Sequence, residues 1–134
     1  MQTRHACVGA LLVDAGQILL GQRSPNRAFY PDVWDVFGGH IEANETPEDT
    51  LIRELKEEIG IEPTQWSYLE TVSEITGGDL IECRIYVVTD WQGVPTNLQP
   101  EEHAMIRWFS LESAVCLKLA HPSYPSIFAR AINE

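Results

Sequence analysis

Residues 39–61 read GHIEANETPEDTLIRELKEEIGI, and this stretch decides the fold of the chain. Its second half predicts a helix over residues 47–59, because Thr46 is a good N-cap and Pro47 suits the first helical position. Gly60 is the kind of residue that ends a helix in the left-handed conformation. The buried stripe of this helix is predicted at positions of helical spacing, namely Leu51, Ile52, Leu55 and Ile59.

Three glutamates lie on one side of the predicted helix. Glu54, Glu57 and Glu58 stand at positions i, i+3 and i+4, where like charges repel by a few tenths of a kcal/mol per pair. A bound cation would remove this repulsion, and carboxylate oxygens suit Mg²⁺ or Mn²⁺. Arg53, four residues before Glu57, can orient one of the carboxylates. Taken alone, the triplet also fits a solvated acidic helix face, since the net charge of the chain is −11.

The whole stretch fits the pattern G-x5-E-x7-R-E-U-x-E-E-x-G-U, in which U is a bulky aliphatic residue. This pattern resembles the signature of the Nudix hydrolase family, and residues 34–42 resemble the segment that precedes it in MutT-like members. Two positions depart from the common pattern, since Phe37 stands where many relatives have proline and Asn44 where glycine is common. Because asparagine tolerates left-handed backbone, Asn44 is expected to preserve the loop.

The resemblance implies both a fold and an activity. The fold is an α/β class structure, an α/β/α sandwich with a mixed β-sheet, formed by residues 1–134 as one domain. The activity is Mg²⁺-dependent cleavage of a diphosphate bond in a nucleotide-like compound, with Mn²⁺ as the alternative ion. A (deoxy)nucleoside triphosphate is the substrate that a MutT-like enzyme would take.

The resemblance also implies roles for residues of the stretch itself. Glu57 and Glu58 match the pair that binds the divalent metal in the family. Glu54 matches a residue that is either a ligand or the general base there. A backbone carbonyl of the glycine loop often ligates the metal as well, and Gly38 or Gly39 would supply it.

Three further positions carry roles through the resemblance. Glu45 and Arg53 match the pair that braces the loop against the helix, and Arg53 is counted among the catalytic residues. Many members have another glutamate in a late loop, shortly before a strand that carries tryptophan. Glu102, six residues before Trp108, is the best match, and Glu101 is the second choice.

Short apolar and alternating runs predict strands on both sides of the helix. The predicted strands cover residues 6–13, 18–23, 33–37, 66–75, 80–91 and 105–109. Gly77-Gly78-Asp79 predicts a hairpin turn, and the strand at 33–37 is expected to stop at Gly38-Gly39. Two short helices are predicted over residues 110–117 and 125–132. Strands mixed with helices indicate one α/β or α+β domain.

Five residues outside the glutamate set are candidates for substrate binding. Arg23 and Arg27 can reach a phosphate, Phe29 and Tyr30 can stack on a base, and His40 lies in the loop of the signature. The alternatives are ordinary ones: surface arginines, and aromatic side chains that belong to the core.

Composition limits partners and location. The three cysteines, Cys7, Cys83 and Cys116, form no CxxC pair, so we expect buried, reduced thiols in a cytoplasmic protein. The net charge of −11 argues against nucleic-acid binding, which needs Lys and Arg to neutralise phosphates. No apolar run approaches the ~18–20 residues of a membrane helix, so no membrane partner is expected. The sequence is also compatible with a homodimer.

Proteins with two other functions have a similar sequence pattern, and both are alternatives to a hydrolase. An enzyme like isopentenyl diphosphate isomerase needs a cysteine near the signature, and the sequence has none between Cys7 and Cys83. A non-catalytic nucleotide sensor usually has a damaged signature or an attached DNA-binding domain, and this chain shows neither. Both are therefore disfavoured relative to a hydrolase.

Overall fold

The computed structural model describes residues 3–27 and 31–133. Within these residues seven strands and three helices follow one another. They are β1 (Arg4–Asp14), β2 (Gln17–Arg23), β3 (Trp34–Asp35), β4 (Phe37–His40), α1 (Pro47–Ile59), β5 (Glu62–Thr76), β6 (Asp79–Gln92), β7 (His103–Ser110), α2 (Leu111–Ala114) and α3 (Tyr124–Ile132). None of the helices in this part of the chain is long and apolar enough to cross a membrane.

The strands form one mixed sheet. Its main order is β3-β2-β1-β6-β5, with β4 paired to β1 and β7 paired to β2. The central pair, β1 and β6, is parallel, and the other pairs are antiparallel. The predicted α/β class with a mixed sheet is confirmed.

The alternation of β1 divides the core into two layers. Successive side chains of a strand point to opposite faces of the sheet. Val8 and Leu12 therefore pack with Leu55 of α1, while Leu11 packs on the other face with Phe128 of α3. Helices thus cover both faces of the sheet, which is the α/β/α sandwich that the resemblance implied.

Helix α1 has the bounds that its sequence predicts. The Thr46 side chain accepts from the Asp49 N–H and the Asp49 carboxylate accepts from the Thr46 N–H, while Gly60 ends the helix with φ 70°. Asn44 is left-handed, with φ 69°, as expected. One residue of the predicted stripe is wrong: Ile52 is 37% exposed. It follows Leu51 by a turn of about 100°, which carries it away from the buried face.

The prediction of one continuous strand over residues 33–37 is wrong. The chain changes partner at Val36, because β3 pairs with β2 and β4 pairs with β1. The Val36 N–H donates to Oδ1 of Asp35 at 2.8 Å. The glycines do not end the strand either, since Gly38 and Gly39 lie within β4 and pair with Gly9 and Val8.

Other differences concern the ends of elements and the cysteines. Strand β5 begins at Glu62 rather than residue 66, and its early Pro63 is tolerated because β5 is an edge strand. Helix α2 ends at Ala114, short of the predicted residue 117, and α3 begins at Tyr124. Cys116 is exposed and Cys7 and Cys83 are half-buried, which corrects the expectation of buried thiols.

Candidate active site

A cleft of about 590 Å³ opens where α1, β4 and the start of β7 meet. Its lining includes Glu54 and Glu58 from α1, Gly38 and Gly39 from β4, and Glu102 from the loop before β7. Residues that are far apart in sequence therefore share one surface. A volume of this size suits a nucleotide-sized ligand.

One end of the cleft carries carboxylates and a histidine. One ligand atom from each of Glu58, Glu102 and His103 lies within 4.8 Å of the others, and no second group of this kind occurs in the described part of the chain. Carboxylate oxygens are the donors that hard divalent cations prefer. This end of the cleft is therefore a candidate metal centre.

Glu58 is the most buried of the acidic groups in the cleft. Its Oε2 accepts the Gly38 N–H at 2.8 Å, and its Oε1 lies 2.9 Å from Nε2 of His103. Only 6% of the Glu58 side chain is exposed. Burial raises the pKa of this carboxyl, while the hydrogen bonds from His103 and Gly38 oppose the rise.

Glu54 lies beside the backbone of β4. Burial, followed by the charge of Glu58, raises the pKa of Glu54 to about 7. A Cβ atom on Gly39 would lie 2.5 Å from Oε1 of Glu54, so a larger residue at this position would displace the carboxylate. The site therefore holds negative charge that its own residues do not fully neutralise.

Arg53 connects the loop before α1 to the glutamates. Its Nε donates to Oε2 of Glu45 at 2.7 Å, and its Nη2 donates to Oε1 of Glu45 at 3.0 Å and to the His40 carbonyl at 3.1 Å. Nη1 donates to Oε1 of Glu54 at 2.8 Å. The hydrogen bond from Arg53 lowers the pKa of Glu45 to about 2. The two residues that were expected to brace the loop are in direct contact.

Two predicted glutamates lie outside this buried group. The Glu57 side chain is 50% exposed, its Oε2 lies 3.4 Å from Nη1 of Arg53, and it is not among the described residues that line the cleft. Glu101 is exposed, whereas its neighbour Glu102 lines the cleft beside Glu58 and His103. The two adjacent carboxylates therefore have different surroundings.

Two basic side chains and one histidine reach the same cleft. Arg23 and Arg27 both line it, and burial, followed by the charge of Arg27, lowers the pKa of Arg23. His40 lies at the exposed rim, with Nδ1 3.4 Å from Sγ of Cys7. Phe29 and Tyr30 lie outside the described residues.

The lining of the cleft also includes Asp35 and Tyr124, which the sequence did not single out. The Tyr124 hydroxyl donates to Oδ1 of Asp35 at 2.6 Å, and Oδ2 of Asp35 lies 3.9 Å from Arg23. Burial raises the pKa of both Asp35 and Tyr124. Asp35 belongs to the segment 34–42 that carries the resemblance, and Tyr124 lies 89 residues away from it in the sequence.

Two cysteines also line the cleft, although they lie far apart in the sequence. Cys7 pairs with Cys83 across the parallel β1–β6 pair and with His40 across β1–β4. Cysteine thiols are therefore present at the cleft, as an isomerase would need, although no cysteine lies between Cys7 and Cys83 in the sequence. Burial, however, raises the pKa of Cys7 to about 11 and also raises that of Cys83, so both thiols are poor nucleophiles.

Comparison with known proteins supports what the site indicates. The family model described as NUDIX domain matches residues 3–130. A CTP pyrophosphohydrolase from Escherichia coli is 34% identical over 91% of this chain and 87% of its own length. An 8-oxo-dGTP diphosphatase from Proteus vulgaris is 36% identical over 69% of this chain and 82% of its own length.

A solved structure extends the likeness to three dimensions. The crystal structure of a MutT NUDIX hydrolase from Burkholderia pseudomallei superposes with a TM-score of 0.80 and 27% identity, covering 98% of both chains. With the family model matched over nearly the whole sequence, the chain belongs to the NUDIX family of hydrolases, as its signature predicted.

Proposed function

We propose that this protein is a Mg²⁺-dependent pyrophosphohydrolase of nucleoside triphosphates, with Mn²⁺ as a substitute ion. One observation carries the proposal: the cleft places the carboxylates of Glu54, Glu58 and Glu102 beside the cationic side chains of Arg23 and Arg27. The carboxylates suit a divalent cation, and the arginines suit phosphate oxygens. The relatives named above as a CTP pyrophosphohydrolase and an 8-oxo-dGTP diphosphatase support a nucleotide substrate.

The donor set fits a magnesium ion. Glu54, Glu58 and Glu102 would hold it, with a carbonyl of Gly38 as a further ligand from the cleft. Glu57, which does not line the cleft, is the additional ligand that the family pattern implies. The raised pKa of Glu54 supports this, since a nearby carboxylate and burial leave negative charge that a cation would stabilise. When bound, such an ion neutralises diphosphate charge and makes a bound water more acidic.

The residues of the chain divide the remaining work. Arg23 and Arg27 bind and orient the phosphates, which the carboxylates alone would repel. Glu102 accepts the proton of the attacking water, and Glu54 is the alternative base. Arg53 holds the loop before α1 against Glu54 through its bonds to Glu45 and His40.

The nucleoside would lie against the part of the cleft formed by Asp35, Tyr124 and their neighbours. The walls there include Val72, Ile81 and Cys83, which offer apolar contact, and Asp35, whose Oδ1 already accepts from the Tyr124 hydroxyl and the Val36 N–H. Oδ2 of Asp35, which lies 3.9 Å from Arg23, would accept a hydrogen bond from the nucleobase. His40 at the rim is a further candidate contact, as are Phe29 and Tyr30.

A substrate screen tests the proposal. Purified protein is incubated with each common and oxidised (deoxy)nucleoside triphosphate, and the nucleoside monophosphate and pyrophosphate formed are separated and measured by anion-exchange chromatography. We expect at least one compound to release pyrophosphate when Mg²⁺ is present, and no release in chelator or from Glu58→Gln. Turnover that survives complete metal removal, or inactivity on every nucleotide, would overturn the proposal.

A further inference from the structure

The buried contact between His103 and Glu58 is not explained by the ligand set alone. Only 8% of the His103 side chain and 6% of the Glu58 side chain are exposed, and they lie 45 residues apart in the sequence. A buried imidazole next to a candidate metal ligand has two chemical possibilities. It can itself bind the cation through Nε2, or it can donate an Nε2–H to the carboxylate.

The other ring nitrogen separates these possibilities. Nδ1 of His103 is buried and finds no hydrogen-bond partner among the described residues. If Nε2 bound a metal, Nδ1 would carry the proton and become a buried donor without an acceptor. Histidines that bind metals almost always donate this second N–H to a carbonyl or carboxylate. A proton on Nε2 instead leaves Nδ1 with only a lone pair, and it satisfies the contact to Glu58.

The packing around the ring keeps this arrangement in place. A Cβ atom on Gly21 would lie 3.2 Å from Nδ1, so the backbone of β2 closes that side. The Phe37 ring meets the imidazole edge to face, at 5.4 Å between centroids. The backbone is fixed as well, because the His103 carbonyl accepts the Asn97 amide at 2.8 Å. The ring therefore has one orientation, with Nε2 directed at Glu58.

We propose that His103 is a positioning residue for the metal centre, which donates Nε2–H to Oε1 of Glu58 and is not itself a ligand. With the Gly38 N–H on Oε2, each oxygen of Glu58 then accepts one protein hydrogen bond. Because a carboxylate oxygen has two lone pairs, each keeps one for a cation. Glu58 is thereby held in one rotamer before the ion arrives.

This arrangement has a consequence for metal choice. If His103 only donates, the protein ligands are all oxygen atoms, which suits Mg²⁺ and Mn²⁺. If His103 were a ligand, the nitrogen donor would favour Zn²⁺, Co²⁺ or Ni²⁺ instead. The inference rests on the proposed function, in which Glu58 binds the ion.

Direct Mn²⁺ binding without substrate tests the inference. Free Mn²⁺ is followed by electron paramagnetic resonance in titrations of the wild type, Glu58→Gln, His103→Gln and His103→Leu. The glutamine amide can place an N–H where Nε2 stands, whereas leucine removes the donor. We expect His103→Gln to bind within about threefold of the wild type. His103→Leu should bind at least tenfold more weakly, within the 10–100-fold range for such supporting groups.

The outcomes separate the two levels of the proposal. No Mn²⁺ binding by the wild type would overturn the proposed metal site and, with it, this inference. Binding by the wild type that Glu58→Gln weakens and His103→Leu leaves unchanged would overturn the inference alone. Equal losses in folded His103→Gln and His103→Leu would show that the imidazole is needed as a ligand.

A measurement on the wild type does not depend on whether the variants fold. Nitrogen-15 NMR of the histidine rings reports which ring nitrogen of His103 carries the proton. We expect the proton on Nε2, both before and after addition of Mg²⁺. A proton on Nδ1 in either state would overturn the inference.

Discussion

At the scale of single residues, chain neighbours differ through what surrounds them. Glu101 and Glu102 have the same chemistry, yet one is exposed and the other lines the cleft. The backbone fixes this difference, because the Glu102 N–H donates to the Gln99 carbonyl at 2.9 Å and its own carbonyl accepts the Ser24 N–H at 2.9 Å. The sequence could rank the two glutamates only by spacing to Trp108.

The pair provides a matched test of the proposed base. We expect Glu102→Gln to lower kcat at least tenfold, about 1.4 kcal/mol of transition-state stabilisation, because the amide cannot accept the proton of the attacking water. Glu101→Gln, its control, should stay within twofold of the wild type. Steady-state kinetics on one nucleotide measure both. Small and equal effects would instead assign the base to Glu54.

Asp35 gives a second prediction at this scale. If Oδ2 of Asp35 accepts a hydrogen bond from the nucleobase, Asp35→Asn replaces this acceptor with an amide of similar size. We expect KM to rise at least fivefold for the preferred nucleotide while kcat changes little, since Asp35 is not one of the carboxylates proposed to hold the ion or to accept the proton. The exposed Asp90→Asn is the control. A fall in kcat at constant KM would contradict a role in base binding.

At the scale of elements, β4 sets the distance between the sheet and the glutamates of α1. A Cβ on Gly38 would lie 1.8 Å from the Val8 carbonyl oxygen, and its φ is +149°. A Cβ on Gly39 would instead meet the end of the Glu54 side chain. Glycine is therefore favoured at these two adjacent positions for different physical reasons.

The corresponding alanine variants should therefore differ in their effects on stability and on kcat. Gly38→Ala pushes β4 from β1, so we expect it to lower the free energy of unfolding by about 2 kcal/mol or more. Gly39→Ala can be accommodated by moving Glu54, so its stability should change by under about 1 kcal/mol while kcat falls at least tenfold. Urea unfolding and kinetics check the pair. Equal loss of stability in both variants would contradict this division.

The loop before α1 depends on the planar guanidinium of Arg53. Arg53→Lys keeps the charge but loses the simultaneous bonds to Glu45, Glu54 and the His40 carbonyl. We expect a loss of about 1–2 kcal/mol in the free energy of unfolding and a fall in kcat of at least tenfold. Arg130→Lys, at the exposed ion pair with Glu70, is the matched control and should change either quantity little. Comparable effects from both would contradict the bracing role.

How much of the structure could be predicted depends on how local its causes are. The bounds of helix α1 were predicted, because its caps lie within one short segment, although Ile52 was wrongly assigned to its buried stripe. The division of residues 33–37 into β3 and β4 was not, because it depends on which neighbouring strand each half joins. His103 and Tyr124 were missed for the same reason, since their partners Glu58 and Asp35 lie 45 and 89 residues away.

At the scale of the whole molecule, the acidic composition and the cleft belong together. The chain has 20 acidic residues against 9 Lys and Arg, and six of the acidic residues line the cleft. Such a site is strained electrostatically until a cation enters, so the metal is expected to stabilise the fold as well as the reaction. Stability should therefore depend jointly on pH and on Mg²⁺.

The sign of the pH dependence of stability follows from the pKa of Glu54. Its folded-state pKa of about 7 lies above the ordinary value of 4.5, so folding favours the protonated form in the absence of metal. This contribution to stability is complete below about pH 4.5 and is lost as the pH rises through about 7. Mg²⁺ competes with the proton, so its stabilising effect should grow in the opposite direction.

Thermal unfolding between pH 6 and pH 8 tests this behaviour. Relative to Glu54→Gln, the metal-free wild type should lose about 1 kcal/mol of stability on going from pH 6 to pH 8, because one proton is released over that range. Mg²⁺ should raise the Tm of the wild type more at pH 8 than at pH 6. Glu45→Gln is the control: with a pKa of about 2, Glu45 stays ionised throughout, so this variant should lower Tm equally at every pH. A wild type that follows Glu54→Gln in parallel would show that the carboxylates of the cleft do not share a proton-linked site.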